Sequence, residues 1–136
     1  MLFRSVNLAS RLEGQSKPYG VKIVLGTKTA EYVKDKYFVL ELDCIAVKGK
    51  KEGVKIYTVL EKHIPENPVE VFRMHEAFLI TYREQKWVEA IALSDSLKKY
   101  NPELKKYYEM MQERIQELKQ SNLPADWDGV YRATSK

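Results

Sequence analysis

Asn7 and Arg11 stand four residues apart in SVNLASRLEG, a step that brings two side chains to the same side of a helix. An amide both donates and accepts hydrogen bonds, and a guanidinium offers a fixed fork of donors, so the pair suits a sugar beside a phosphate. In phosphoryl transfer, charge grows on the non-bridging oxygens, where an arginine stabilises the transition state. A polar pair on an exposed helical face can equally be a solvated surface. Lys48, Lys50 and Lys51 surround Gly49. A lysine beside a glycine turn can reach a triphosphate tail as a mobile point charge, although hairpin tips also carry lysines for solubility. The run is not a phosphate-binding loop of the GxxxxGK[ST] kind.

Polyphosphate chemistry normally needs Mg2+ held by one or two carboxylates. Asp35, Glu41 and Asp43 are the nearest candidates: Asp35 at an exposed helix end, Glu41 and Asp43 two apart on a strand and therefore expected to face the same way. They do not make a divalent site, and no metal ligands are expected in this chain. Cys44 is the only cysteine, which excludes an internal disulfide and suits a reducing compartment. His63 and His75 lack ligand spacing and read as surface or satisfied interface residues.

The elements that must position these groups fall into two halves. Residues 1–62 carry 12 Lys and Arg against 7 Asp and Glu, and the remainder 11 against 12. A basic first half attracts phosphates, of a nucleotide or of a polymer, or is simply a solvated lysine-rich surface. Within it, Asn7 to about Ser16 has helical periodicity, with Leu8, Ala9 and Leu12 on one face and Asn7, Ser10 and Arg11 on the other. VKIVLG reads as a strand, and Thr27 as the cap of a short helix to about Tyr37 with Ala30 and Val33 inward. FVLELDCIAVKG, bent near Asp43, and VKIYTVLE read as strands joined by the KGKKEG connection. This is an α+β layer, with few strands for an independent domain.

Residues 63–67 read as a linker. Asn67 then caps a helix with Pro68 at its first position and Glu70 as the other half of a capping box, and Val71, Met74, Phe78, Leu79 and Tyr82 recur at helical spacing. A second helix carries Trp87, Ile91 and Leu97. A third, from 102 to about 120, begins with Asn101 and Pro102 and presents Leu104, Tyr107, Tyr108, Met111, Ile115 and Leu118. That stripe is core, helix contact or a partner groove. Three helices with short loops pack as antiparallel neighbours over 68–120. The tail, 121–136, is expected to be irregular, with Trp127 and Val130 folded back on the bundle. No apolar run is long enough to span a bilayer, and the start does not read as a signal peptide.

VNLASRLE, the YG turn with its strand, and VKGK followed by IYTVL occur in an order and spacing that resemble the C-terminal portion of class III adenylate/guanylate cyclase catalytic domains, over roughly residues 5–60. Residues 68–136 resemble the helical extension of membrane-bound bacterial members that carry an extracellular sensory domain, with packing similar to a tetratricopeptide pair. The resemblance implies a C-terminal fragment of a ferredoxin-like domain, active as a head-to-tail dimer with ATP or GTP at the interface. By motif, Asn7 would orient the ribose, Arg11 would contact the α-phosphate, and Lys48 would hold the terminal phosphates. Mg2+ or Mn2+ would belong to the complete parent, whose two metal-binding aspartates and purine-selecting residues lie upstream of VNLASRLE. Phe3 and Arg4 stand where the family usually has Gly-Asp. The parent would sit in the inner membrane with its catalytic domain in the cytoplasm. Taken alone, the chain is expected to be inactive and to partner a second copy or the missing upstream segment. The alternative is a non-catalytic dimerisation or interaction module. Nucleic-acid binding is disfavoured, because the basic half lacks interleaved surface aromatics and any known binding signature.

Overall fold

A computed structural model describes residues 18–46, 53–60 and 66–132. The fold is mixed α+β, a small antiparallel hairpin and several helices, and it divides into two compact units. The first comprises Met1–Glu61 with Val130–Lys136, and the second Lys62–Gly129.

In the first unit, β1 (Phe38–Ala46) pairs antiparallel with β2 (Gly53–Leu60). Both strands are rich in β-branched and aromatic residues, which suit a pleated, half-buried surface. The buried face joins Leu40 to Thr58 and Asp43 to Ile56, and Leu60 continues it on β2. A bulge interrupts the register between Glu41 and Asp43, so Leu42 is an extra residue on β1. Leu42 is nonetheless fully buried.

Single bridges from distant chain flank the hairpin. VKIVLG, expected as a strand, contributes one antiparallel bridge, Leu25 to Tyr57, with N–H···O distances of 2.7 and 2.8 Å. The Ile23 carbonyl also accepts the Thr58 hydroxyl at 2.8 Å. The segment is confined between a turn ending at Gly20 (φ 68°) and the start of α1 (Thr27–Val33), too short a run for a longer ladder. Gly26 holds the N-cap position of α1, so Thr27 is the first helical residue rather than the cap. The helix ends at Val33, before Tyr37. Ala30 is buried as expected, and Val33 half-buried.

On the other edge, Tyr131 forms a parallel bridge with Ile45: its N–H donates to the Cys44 carbonyl at 2.9 Å and its carbonyl accepts from Ala46 at 3.0 Å. Val130, expected on the helical bundle, is instead buried in this unit. The reason is local. Gly53 lacks the Cβ that would stand 2.5 Å from Val130 Cγ2 and 2.7 Å from Cys44 Sγ, and the space is filled by the valine.

The second unit contains α2 (Pro68–Arg83), α3 (Trp87–Tyr100), a 3-10 turn (Pro102–Leu104) and α4 (Lys105–Gln120). Asn67 occupies the N-cap of α2 with Pro68 behind it, but its side chain makes no capping bond, so the capping box does not form. Glu70 still lies in the first turn, where a carboxylate opposes the helix dipole. α3 packs against both α2 and α4. Val71, Phe78, Leu79 and Tyr82 of α2, Ala90 and Leu97 of α3, and Tyr107, Tyr108, Met111 and Ile115 of α4 form the core, with Leu104. The α4 stripe is thus core, which closes it as a partner groove. Fully burying each large apolar side chain contributes roughly 1.5–3 kcal/mol.

A three-residue turn joins α2 to α3. Gln85 adopts φ 63°, its N–H donates to Tyr82 and that of Lys86 to Thr81, the double bond of a Schellman end with glutamine where glycine is usual. The Gln85 amide also donates to the Pro124 carbonyl at 2.7 Å, and Trp127 packs edge-on to Tyr82 with centroids 5.6 Å apart. Trp127 is therefore placed on the bundle as expected.

Candidate functional site

Asn7, Arg11 and Lys48, the three residues expected to touch substrate, lie outside the described residues, as does His63. What is described is the framework between them in sequence. Lys48 belongs to the connection from Ala46 of β1 to Gly53 of β2, whose ends are register partners. Eight residues after Arg11, the Tyr19 ring is buried, and its hydroxyl donates to Asp43 Oδ2 at 2.7 Å. Asp43 in turn precedes Lys48 by five residues. One buried hydrogen bond thus pins the chain that leaves the Asn7–Arg11 segment to the strand that leads to Lys48.

The acidic residues are arranged differently from expectation. Glu41 pairs with Tyr57 and Asp43 with Ile56, and neighbouring residues on a regular strand point to opposite faces. The bulge at Leu42 therefore separates Glu41 and Asp43, which do not face the same way. Asp43 is fully buried, and both its oxygens are engaged: Oδ2 with Tyr19, Oδ1 with the Cys44 N–H at 2.8 Å. A carboxylate so held has its lone pairs directed at protein donors, which suits an anchor. Asp35 is exposed just past α1. Among the described residues, no three His, Cys, Asp or Glu side chains group as metal ligands.

Sequence reasoning did not foresee the Tyr19–Asp43 pair. Its only signal is an aspartate inside the apolar run FVLELDCIA, a residue type that needs a partner once buried.

The helical unit buries a second polar group. His75 Nδ1 lies 2.9 Å from the Tyr108 hydroxyl, and the Asn101 amide donates to that same oxygen at 3.3 Å. Phe78 and Tyr107 enclose it, with ring centroids 6.3 and 5.9 Å from His75. Burial pushes the Tyr108 phenol above its usual range, against a smaller opposing effect of the Asn101 hydrogen bond. The phenol stays neutral and can donate its proton to Nδ1. Arg114 Nη1 approaches the Tyr82 hydroxyl at 3.4 Å. These contacts join α2 to α4 through filled space, and they explain His75 as a satisfied interface residue.

Between α3 and α4, Gln112 Nε2 donates to Ser94 Oγ at 2.7 Å and to Asp95 Oδ1 at 2.8 Å, and Lys98 donates to Gln112 Oε1 at 3.2 Å. Ser94 Oγ donates to the Ile91 carbonyl at 2.7 Å, which ties up its proton within the helix. Among the described residues, no helix is long and apolar enough to cross a membrane. No family model, no curated protein and no solved structure matches this chain.

Proposed function

We propose that this chain is part of a class III nucleotide cyclase, the enzyme type that converts ATP or GTP to its 3',5'-cyclic form and pyrophosphate. The observation that carries the reading is the succession of VNLASRLE, the YG turn and VKGK before IYTVL within some sixty residues. Asn7 would hold the ribose, so that its 3'-oxygen lies in line with the α-phosphorus. Arg11 would take up charge on the α-phosphate oxygens as the new P–O bond forms and the bond to pyrophosphate breaks. Lys48 would hold the departing phosphates. Aspartates of the parent's upstream segment would hold two divalent ions, which would supply the lowering of the 3'-hydroxyl's pKa. The reading draws support from Tyr19 of the YG turn, whose hydroxyl is bonded to Asp43 of the strand that precedes VKGK. The ferredoxin-like architecture of the parent, the tetratricopeptide-like character of the helical unit and the membrane attachment of the parent belong to the same proposal.

The test is titration of the purified chain with fluorescent ATP and GTP analogues, followed by assay for cyclic product with Mg2+ or Mn2+. The expected outcome is nucleotide binding without turnover, weakened about tenfold, or ~1.4 kcal/mol, by Arg11→Ala. Lys48→Ala should weaken triphosphates more than monophosphates. Binding that ignores both substitutions, or absence of binding, would sink the proposal.

A further inference from the structure

The outer face of α2 carries apolar residues that the core does not use. Val69 and Ile80 are 64 and 54 % exposed on the side of the helix away from Val71, His75, Phe78 and Tyr82, and Phe72, 40 % exposed, stands at the edge of that side beside the buried Leu79. Arg73 and Glu76, both exposed, lie between them. Scattered apolar residues on a surface need no explanation, but these follow helical spacing and share one stripe.

The order of residues along the stripe is self-complementary. A second copy of α2 running antiparallel across a twofold axis midway between Arg73 and Glu76 sets Val69 against Ile80 and Arg73 against Glu76, each twice, with Phe72 and Ala77 on the two flanks. Val69, Arg73, Glu76 and Ile80 lie within about 60° of one another around the helix at 100° per residue. Arg73 and Glu76 form no ion pair within the described residues, so both are available for the pairing. A parallel pair would instead oppose arginine to arginine and glutamate to glutamate. Charge complementarity thus selects one occupant and one orientation.

We infer that the outer face of α2 is a homodimer contact in which two copies of this helix pair antiparallel, Arg73 of each against Glu76 of the other. The contact is independent of the nucleotide reading, and of any dimer formed through a catalytic face. It also differs from docking through the α4 stripe, which is buried within the unit. A single helix pair falls at the small end of specific interfaces, so the association is weak and depends on concentration.

Sedimentation equilibrium of the full chain over a wide concentration range should show reversible growth from 15.9 kDa toward twice that mass. Ile80→Arg should hold the chain at the monomer mass with unchanged helical circular dichroism. Arg73→Glu should weaken the dimer several-fold, and adding Glu76→Arg should restore it. Register is read by cysteine pairing in a Cys44→Ser background. Val69→Cys with Ile80→Cys should give a disulfide-linked dimer on mild oxidation, whereas neither alone should, because identical positions stand ~16 Å apart along an antiparallel pair. A monomer at every concentration, a dimer that survives Ile80→Arg, or linkage through one cysteine position alone would each overturn the inference.

Discussion

The helical unit and the hairpin unit bury polar groups and close their edges in different ways. In the helical unit, each helix leads through a short turn to the next, and the buried His75 and the Asn101 amide meet at the Tyr108 hydroxyl within 34 residues of chain, while Asn101 Oδ1 has no hydrogen-bond partner among the described residues. In the hairpin unit, β1 and β2 pair locally, but both edges are capped by chain from elsewhere: Leu25 on β2, Tyr131 on β1. Its buried aspartate depends on Tyr19, 24 residues away. A helix satisfies its own backbone and needs neighbours only for its apolar face, whereas a strand edge leaves amides and carbonyls that something must cover. The hairpin unit therefore relies on contacts distant in sequence, and its outer bridges are the part most readily lost.

The largest effect should come from Phe78→Ala. Phe78 is fully buried between His75, Tyr82 and Tyr108, and the vacated space is lined by rings that cannot collapse into it. A loss of about 3–5 kcal/mol is expected in urea unfolding. Hydrogen exchange should report it throughout the helical unit while the Leu25–Tyr57 amides keep their protection. Loss of protection in both units together would show that they do not unfold separately.

Gly53→Ala tests the opposite region. The added methyl would meet Val130 and Cys44 at 2.5 and 2.7 Å, and the valine, beside the single bridge at Tyr131 rather than within the paired strands, is the easier to displace. A cost of about 1–3 kcal/mol is expected, with faster exchange at the Ala46 and Tyr131 amides and unchanged α2 to α4. Unchanged exchange at those two amides would mean that the tail does not depend on this glycine.

Tyr108→Phe should be the mildest, about 1–2 kcal/mol at neutral pH, because it leaves His75 and Asn101 without their shared hydroxyl. Its pH dependence is the sharper reading. The phenol is held above its ordinary value in the folded state, so the unfolded chain loses that proton first as the pH rises. Its contribution is fully present below about pH 10 and is lost as the pH climbs beyond it. Alkaline denaturation of the parent should therefore be steeper than that of the variant. Parallel profiles would place the titration elsewhere.

The helical half was legible because its signals are local. Asn67-Pro68 marks the start of α2, Asn101-Pro102 opens the 3-10 turn that runs into α4 at Lys105 rather than the helix itself, and residues from Val71 to Tyr82 and from Leu104 to Ile115 repeat with the helical period. The departures there are small: Asn67 caps by position but not by side chain, and Met74 and Leu118 are half-buried. The hairpin half was legible as strands but not as a sheet. The bend expected near Asp43 is a bulge at Leu42, and what the sequence did not show is that it reverses the facing of Asp43 relative to Glu41. Asn7, Arg11 and Lys48 were chosen from motif and spacing alone, while Tyr19 and Asp43 show a relationship only in space.

The sequence by itself determined, to within a few residues, where the helices of the second half and the hairpin strands lie and most of the bundle's core, because periodicity, caps and turns act within a few neighbours. Only the tertiary structure decided that Leu25 and Tyr131 flank the hairpin, that Val130 leaves the bundle for Gly53, and that Asp43 answers Tyr19. Those outcomes rest on shape and unsatisfied hydrogen bonds meeting across long stretches of chain, and no local pattern encodes them.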